Sequence, residues 1–536
     1  MSKRFFTCFI LAFFSFISSG QTYNWVKHNS ISVQANPLLA AFPSTSDQAG
    51  NLITGSLLVY KQGYSSDYYG DVIIRKYNNA GSVSVSKTLT GKAVIKGVQT
   101  DDGGNIYAYG LFMDTLFIDP GNFILNTSSG FNLNSFIIKF SSSGNFIWKK
   151  NLNVTSGNGW DITTAKVKGN FIYAGLFIGL FQSSLKKFDL NGNETGSFNI
   201  SPVRGFSAID VDPMGNIFTA GSCQNGNIQF SNLNINCPYV YSLFFAKFNS
   251  SFACQWVKFV QDVTFASPFL ICDNSGNAYA TGDLSNNFVF DTIQTQGPHW
   301  VYDFYLAKIH SSGNFLWVRE VPNNPGGGDA EIGPCNNLTV DNMGNVYFTG
   351  MQRGTINWGP FSTSGNSDVL VLKYNSSGNI LWGKTGGGSG TDRGHSISLD
   401  NTGNILLSGN FENNAQFDTI AVNSPSNLNG FAAKLSNPPL GIINYNNNQP
   451  SGFSLSSYPN PFNPVTVIKY ELRTAGSVTL KLYDILGNEI ETLINEKQSA
   501  GTYNFEWNAE KFSSGIYLAK LNTGDFSKTI KLIFAK

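Results

Sequence analysis

At 536 residues the chain exceeds what one ordinary compact core holds, so it is either several domains or an architecture that grows by repetition. Charged residues make up 13% and the formal net charge is +1, which leaves no basic field for nucleic acid or for an anionic membrane surface. With 55 Gly, 44 Phe and 22 Tyr, the composition is that of short aromatic strands punctuated by turns, an all-β protein.

The chain opens with Lys3 and Arg4 ahead of the apolar run 5–17, followed by Ser18, Ser19 and Gly20. This is the pattern of a secretory signal peptide over residues 1–20. The run is shorter than the roughly 20 residues a spanning helix needs, and no later segment comes close, so the mature chain is read without a transmembrane segment. Cys8 leaves with the signal, and five cysteines remain for an oxidising compartment.

Residues 21–435 repeat. The stretch D-x-x-G-N recurs from Asp47, Asp101, Asp212, Asp273, Asp341 and Asp400, with Lys166 heading a seventh copy, K-V-K-G-N. A second motif, as in FIIKFSSSGNFIW (136–148), interleaves with it and carries Lys76, Lys139, Lys187, Lys247, Lys308, Lys373 and Lys434. A period of about 60 residues with two hairpins means four strands per unit, which points to propeller blades. The last strand of a unit bears Trp148, Trp256, Trp317 or Trp382, with diverged versions near Val85 and Phe198, but none follows Lys434. The segment YNWVKH (23–28) has the same tryptophan pattern and stands alone at the mature N-terminus. The expectation is a seven-bladed β-propeller of four-stranded blades whose last blade is completed by the N-terminal strand.

In D-x-x-G-N the aspartate suits the first position of a tight turn and the glycine supplies positive φ. The functional alternative, a calcium or catalytic aspartate in every unit, needs several oxygens converging on one point, and Lys166 in the third copy argues against it. The pattern GGGSGTDRGHSISLDNTGNILLSG (386–409), preceded by K-x-x-x-x-G-N-x-x-W, resembles the SBBP-type β-propeller repeat of bacterial secreted proteins over about residues 22–435. The resemblance implies a fold and no single activity.

Both tight turns of each unit fall on one face, which leaves the long connections on the other, where binding residues usually sit. Tyr64, Tyr68, Tyr69, Tyr239, Trp300 and Trp358 in those loops form a candidate rim for stacking on sugar rings, the alternative being that they pack their own loops. Cys223 and Cys237 open and close one loop and are the expected disulfide, with Cys254, Cys272 and Cys335 unpaired. Asp329, Glu331, Asp392, Arg393 and His395 are the catalytic candidates, in two Gly-rich loops; the competing reading makes them part of the repeat. The four histidines lack metal-ligand spacing and the GGG runs lack the Lys-Ser/Thr of a phosphate loop, so no metal and no cofactor is expected. Asp114-Thr115-Leu116, Asp291-Thr292-Ile293 and Asp418-Thr419-Ile420 resemble a bacterial periplasmic O-glycosylation acceptor, the favoured alternative being a repeated strand-start pattern.

Residues 436–454 read as a linker. Residues 455–536 then give about seven short alternating strands, a small Ig-like β-sandwich. They resemble the type A C-terminal sorting domain of the type IX secretion system. The matching pieces are Tyr458-Pro459-Asn460-Pro461, Leu482-Tyr483-Asp484 with Gly487, and Gly515-Ile516-Tyr517-Leu518 with Lys520. The resemblance implies a partner, the type IX machinery, passage across the outer membrane, removal of this domain, and release or attachment at the cell surface. The sequence thus leads to a secreted or surface-displayed monomer that binds a glycan or protein ligand. A polysaccharide-degrading glycosidase or lyase, or a purely structural surface element, are the competing readings.

Overall fold

The computed structural model describes the chain outside residues 1–20, 31–40, 62–68, 126–132, 153–160, 180–181, 262–266, 285–286, 298–302, 324–326, 424–428, 437–453, 473–475, 499–500, 524–525 and 536. The expected signal peptide and most of the expected linker therefore lie outside the described residues. Every regular element among the described residues is a strand. The chain divides into two compact units, one spanning Gly20–Asn437 and one containing Pro438–Lys536.

In the larger unit the folding logic is local first. The D-x-x-G-N segments make tight turns in which the aspartate Oδ1 accepts backbone N–H groups two and four residues on, as Asp47 does from Ala49 and Asn51 at 3.0 and 2.9 Å. The Asn side chain then returns a hydrogen bond to the same carboxylate, and Gly50 supplies φ of 77°. Asp212, Asp273, Asp341 and Asp400 make the same pair of backbone bonds.

Those turns set the register of antiparallel sheets. Four of the sheets have four strands, among them Val203–Val211, Ile217–Phe230, Leu233–Phe248 and Cys254–Gln261 in sequence order. In two places neighbouring repeats share a continuous sheet. Val83–Thr100, for example, pairs with Tyr69–Tyr77 through its first half and with Ile106–Asp119 through its second. Within each repeat the motif lysine lies across from the tryptophan strand: Lys139↔Trp148, Lys247↔Trp256, Lys308↔Trp317 and Lys373↔Trp382. The N-terminal strand Tyr23–Ser30 occupies the same place in another sheet, pairing antiparallel to Asn429–Leu435 with Trp25↔Lys434.

In several places the lysine and tryptophan fasten one repeat to the next. Trp148, Trp256 and Trp317 donate their indole N–H to the turn carbonyls of Leu190, Ser311 and Ser376, each in the following repeat. Lys76, Lys139, Lys247 and Lys308 reach the carbonyls of Ser142, Leu190, Ser311 and Ser376. Trp25 donates to the carbonyl of Asn79 at 3.0 Å, and Lys434 bonds the Asn79 side chain. The turn glycine beneath each ring leaves room for it: a Cβ on Gly81, Gly313 or Gly378 would lie under 3.0 Å from Trp25, Trp256 or Trp317. The apolar cores lie between successive sheets. One combines Ala208, Phe218 and Ala220 with Leu270, Ala278 and Ala280, and another brings Trp25, Leu406 and Ala432 against Leu52 and Tyr77.

The C-terminal unit is two antiparallel sheets over one core. Ser454–Tyr458, Val465–Leu472 and Gly501–Asn508 form the first sheet. Glu489–Gln498, Gly476–Tyr483, Gly515–Thr523 and Phe526–Phe534 form the second. Ile468, Tyr470, Leu480, Leu482, Trp507 and Leu521 fill the space between them.

Candidate functional site

Two cavities, of about 580 and 590 Å3, lie where the first strands of the repeats converge. The first is lined by segments 44–48, 99–102, 164–168, 209–213, 269–274, 336–342 and 397–401, one from every repeat. The second takes Ala41, Lys96, Thr163, Arg204, Phe269, Cys335 and Arg393, again one region per repeat. Thr164, Phe269 and Asn336 line both, so the two are neighbouring parts of one passage.

Their charges differ. The first cavity collects Asp47, Asp101, Asp102, Asp210, Asp212, Asp273, Asp341 and Asp400 against Lys166 and Lys168. Several of these carboxylates are already held by their own repeat: Lys76 sits 2.8 Å from Asp47, Lys139 3.5 Å from Asp101 and Lys434 2.8 Å from Asp400. Burial works to raise the Asp400 carboxyl, yet Lys434, Asn404 and Thr402 bring it down to about 2. Lys166 pairs with Asp210 at 2.8 Å, giving the lysine in the third copy a partner from the next repeat. The second cavity is lined by Lys96, Arg204 and Arg393 with one carboxylate, Asp283.

Of the five candidate catalytic residues, the structure brings only Arg393 to the second cavity. Its guanidinium donates to the carbonyl of Ile332, with Nε at 3.1 Å, and Nη2 lies 3.7 Å from Glu331. Asp329 and Glu331 are both bonded to Arg353, Asp329 at 2.8 Å. Asp392 has no exposed surface and accepts the backbone N–H groups of Gly388 and Glu412 at 2.6 and 3.0 Å. Burial pushes its carboxyl up to about 7, with Asp368 and Glu412 nearby adding to the effect. His395 is also buried. Its Nδ1 accepts the Phe42 N–H at 3.3 Å and its Nε2 lies 2.6 Å from Asn410 Oδ1, an arrangement that fixes the neutral Nε2–H tautomer. Burial, then Arg393, lowers its pKa to about 3. Asp392 and His395 are therefore buried and engaged by neighbouring segments, which corrects their candidacy as catalytic groups.

The aromatic rim is corrected in two places. Tyr69 is 1% exposed and Trp358 is 6% exposed. The Trp358 ring stacks over Phe304 of the preceding repeat at 6.3 Å and donates its N–H to Thr363 at 2.7 Å, so the ring is packed and its polar tip is taken. Tyr239 is half-buried. Tyr64, Tyr68 and Trp300 lie outside the described residues. Among the described residues no group of acidic, His or Cys side chains is arranged to hold a metal ion.

Cys223 and Cys237 stand on adjacent strands with their sulfurs 3.8 Å apart, as thiols. The three Asp-Thr triplets share a conformation: Asp114, Asp291 and Asp418 have φ of 57°, 54° and 53°. Asp291 bonds Lys258 and caps the Phe315 N–H, while Asp418 bonds Lys384 and caps the Tyr23 N–H. Each of these two caps falls two residues before a tryptophan, Trp317 or Trp25, which gives those two triplets a structural reason.

The sorting-motif residues build one end of the C-terminal sandwich. The Pro459 carbonyl accepts the Thr466 hydroxyl, and Asn460 bonds the backbone of Lys531 and Ile533 at 2.6 and 2.9 Å, pinning Tyr458–Pro461 to the last strand. Asp484 and Gly487 make another D-x-x-G-N turn, with Leu486 and Asn488 N–H groups on the carboxylate at 2.9 Å. Gly515 begins the strand that carries Tyr517 and Lys520; the Tyr517 hydroxyl donates to Ser513 and its ring packs edge-on against Trp507. Sequence reasoning missed Lys96, Arg204 and Asn337.

Residues 456–535 match the family model of the secretion system C-terminal sorting domain. The chain thus carries a type IX sorting domain and is exported to the cell surface or the extracellular space. No curated protein matches the chain. Among solved structures it is similar to the Plexin A4 extracellular region, at 7% identity over 96% of this chain and 67% of that one, with a TM-score of 0.40. It is also similar to a prolyl endopeptidase (7%, 81% and 54%, TM-score 0.37) and to prolyl oligopeptidase B from Galerina marginata (10%, 71% and 47%, TM-score 0.34). The chain spans about half the length of these two peptidases.

Proposed function

We propose that residues 21–435 are a seven-bladed β-propeller closed by its N-terminal strand, that 436–454 link it to the sorting domain of 455–536, and that the propeller is an exported binding module taking its ligand at the cation-lined end of its passage. The observation that carries this reading is the convergence of all seven repeats on the same two cavities. Placement of Trp25 opposite Lys434, with its bond to Asn79, supports the closure. The likeness of residues 386–409 to the SBBP-type repeat supports the same architecture. Binding is favoured over catalysis because the acidic candidates are neutralised or enclosed: Arg353 holds Asp329 and Glu331, and Asp392 is buried.

The test is a glycan array probed with the full-length protein, with turnover assays on every sugar it retains. Binding without cleavage, unchanged in Asp329→Asn, is the expected result. Cleavage that disappears in Asp329→Asn or Glu331→Gln would replace the binding module with a polysaccharide-degrading enzyme.

A further inference from the structure

Lys96, Arg204 and Arg393 come from three different repeats, yet they meet at one cavity whose lining holds a single carboxylate. The neighbouring cavity has eight aspartates and two lysines. In a chain of net charge +1, this separation of sign comes from placement, and a concave low-dielectric wall concentrates the field it makes. Lys96 is exposed and forms no ion pair with a described residue. Arg393 is held through Nε and Nη2 by the Ile332 carbonyl, with Glu331 3.7 Å from Nη2, which leaves the Nη1 donors of its planar fork for an anion. Both cations lie near the Cys335 thiol, which burial pushes up to about 11 and which these charges oppose.

A second observation concerns Asn337, which lines the same cavity and is 1% exposed. Its Nδ2 donates to the Gly333 carbonyl at 2.7 Å, while its Oδ1 is buried with no donor. Buried acceptors are nearly always satisfied, so this oxygen suits a hydroxyl brought in from outside. A site that offers three cations, Arg393 among them held in place, and a buried hydroxyl acceptor, within about 590 Å3, fits a ligand carrying both an oxyanion and hydroxyls.

We infer that the cavity lined by Lys96, Arg204, Arg393 and Asn337 binds an acidic sugar, its carboxylate or sulfate facing the three cations and a hydroxyl donating to Asn337 Oδ1. The inference rests on the binding-module reading and adds the class of ligand. Carboxylated and sulfated sugars share the chemistry and are separated by experiment.

The experiment is titration calorimetry on the full-length protein with three probes: an oligogalacturonate, a heparin-derived sulfated oligosaccharide and a neutral galactan oligosaccharide. A poly-glutamate peptide serves as a fourth. Lys96→Glu and Arg204→Ala change exposed side chains, and unchanged thermal unfolding verifies that the fold is kept. Binding of either acidic sugar, weakened by salt and by at least about tenfold in Lys96→Glu, is expected, the loss being that of one charge-assisted hydrogen bond. Preference between the first two probes identifies the oxyanion. Equal binding of neutral galactan, untouched by Lys96→Glu, overturns the acidic ligand and leaves the binding module standing, as does binding of poly-glutamate alone. Failure of all four probes together with an empty glycan array and protein panel overturns both.

Discussion

Replacing Trp25 by alanine asks whether the first strand fastens the proposed ring. Trp25 is 7% exposed, stacks on Tyr77 with ring centres 6.0 Å apart, covers Gly81 and donates to the Asn79 carbonyl. Truncating a buried tryptophan removes its transfer free energy and leaves a cavity, a combined loss of about 3–5 kcal/mol. Trp256→Ala is the internal standard, since Trp256 lies opposite Lys247 and donates to Ser311 at 3.0 Å in the same way. Urea unfolding of the purified chain, followed by circular dichroism, compares the two with the parent. Similar losses are expected, because the strand that arrives from the far end of the chain makes the same contacts as one that is covalently next in line. The two side chains share no partner among the described residues, so the double variant is expected to lose the sum. A Trp25→Ala protein within about 0.5 kcal/mol of the parent, beside a Trp256→Ala protein several kcal/mol weaker, would refute closure by this strand.

The turn aspartates set an acid limit. Asp400 is held at about 2, below its value in an unfolded chain, so its contribution is present above about pH 4 and fades as pH falls toward 2. Asp400→Asn is expected to cost roughly 1 kcal/mol at neutral pH and to flatten urea midpoints between pH 4 and 2; an unaltered acid limb counts against the ion pair with Lys434. In the exported protein, Cys223 and Cys237 are expected as a disulfide, found by non-reducing peptide mapping and worth roughly 3 kcal/mol for a loop of this length, whereas two alkylated thiols would reject it. In the sorting domain, Ile485 and Leu486 are 70% and 82% exposed on the turn capped by Asp484. The paired change Ile485→Ser, Leu486→Ser is expected to leave stability within about 0.5 kcal/mol but to trap the protein in the periplasm; normal export in cell fractionation would show that this tip is not read.

Much of the local architecture was legible because its chemistry is confined to five or six residues. An aspartate that bonds N–H groups two and four residues on, followed by a glycine at positive φ, makes its turn wherever it occurs, and Asp484 does so in the other unit with no repeat around it. The lysine and tryptophan follow from the register those turns impose. The aromatic rim was not legible in the same way. Trp358 looks like a loop residue in sequence, but its partner is Phe304, 54 positions earlier and in another repeat. An amphipathic ring has the same composition signal whether it faces water or a neighbouring sheet, and only the packing between repeats decides. His395 misled for a related reason: its bonds to Phe42 and Asn410 come from distant segments that no local pattern connects.

The cation-lined cavity escaped sequence reading for a reason built into repetition itself. Every repeat faces the same problem at its border with the next, and the aspartate, lysine and tryptophan recur at the same positions in most of them, which is why they are visible as a period. A ligand in a passage common to all repeats touches each of them once, from a different direction, and so places different demands on each. Lys96, Arg204 and Arg393 accordingly stand five, eight and seven residues before Asp101, Asp212 and Asp400, with no shared offset to reveal them. In such a protein, positions that agree between repeats hold the fold, and binding is to be sought where the repeats differ but their side chains meet.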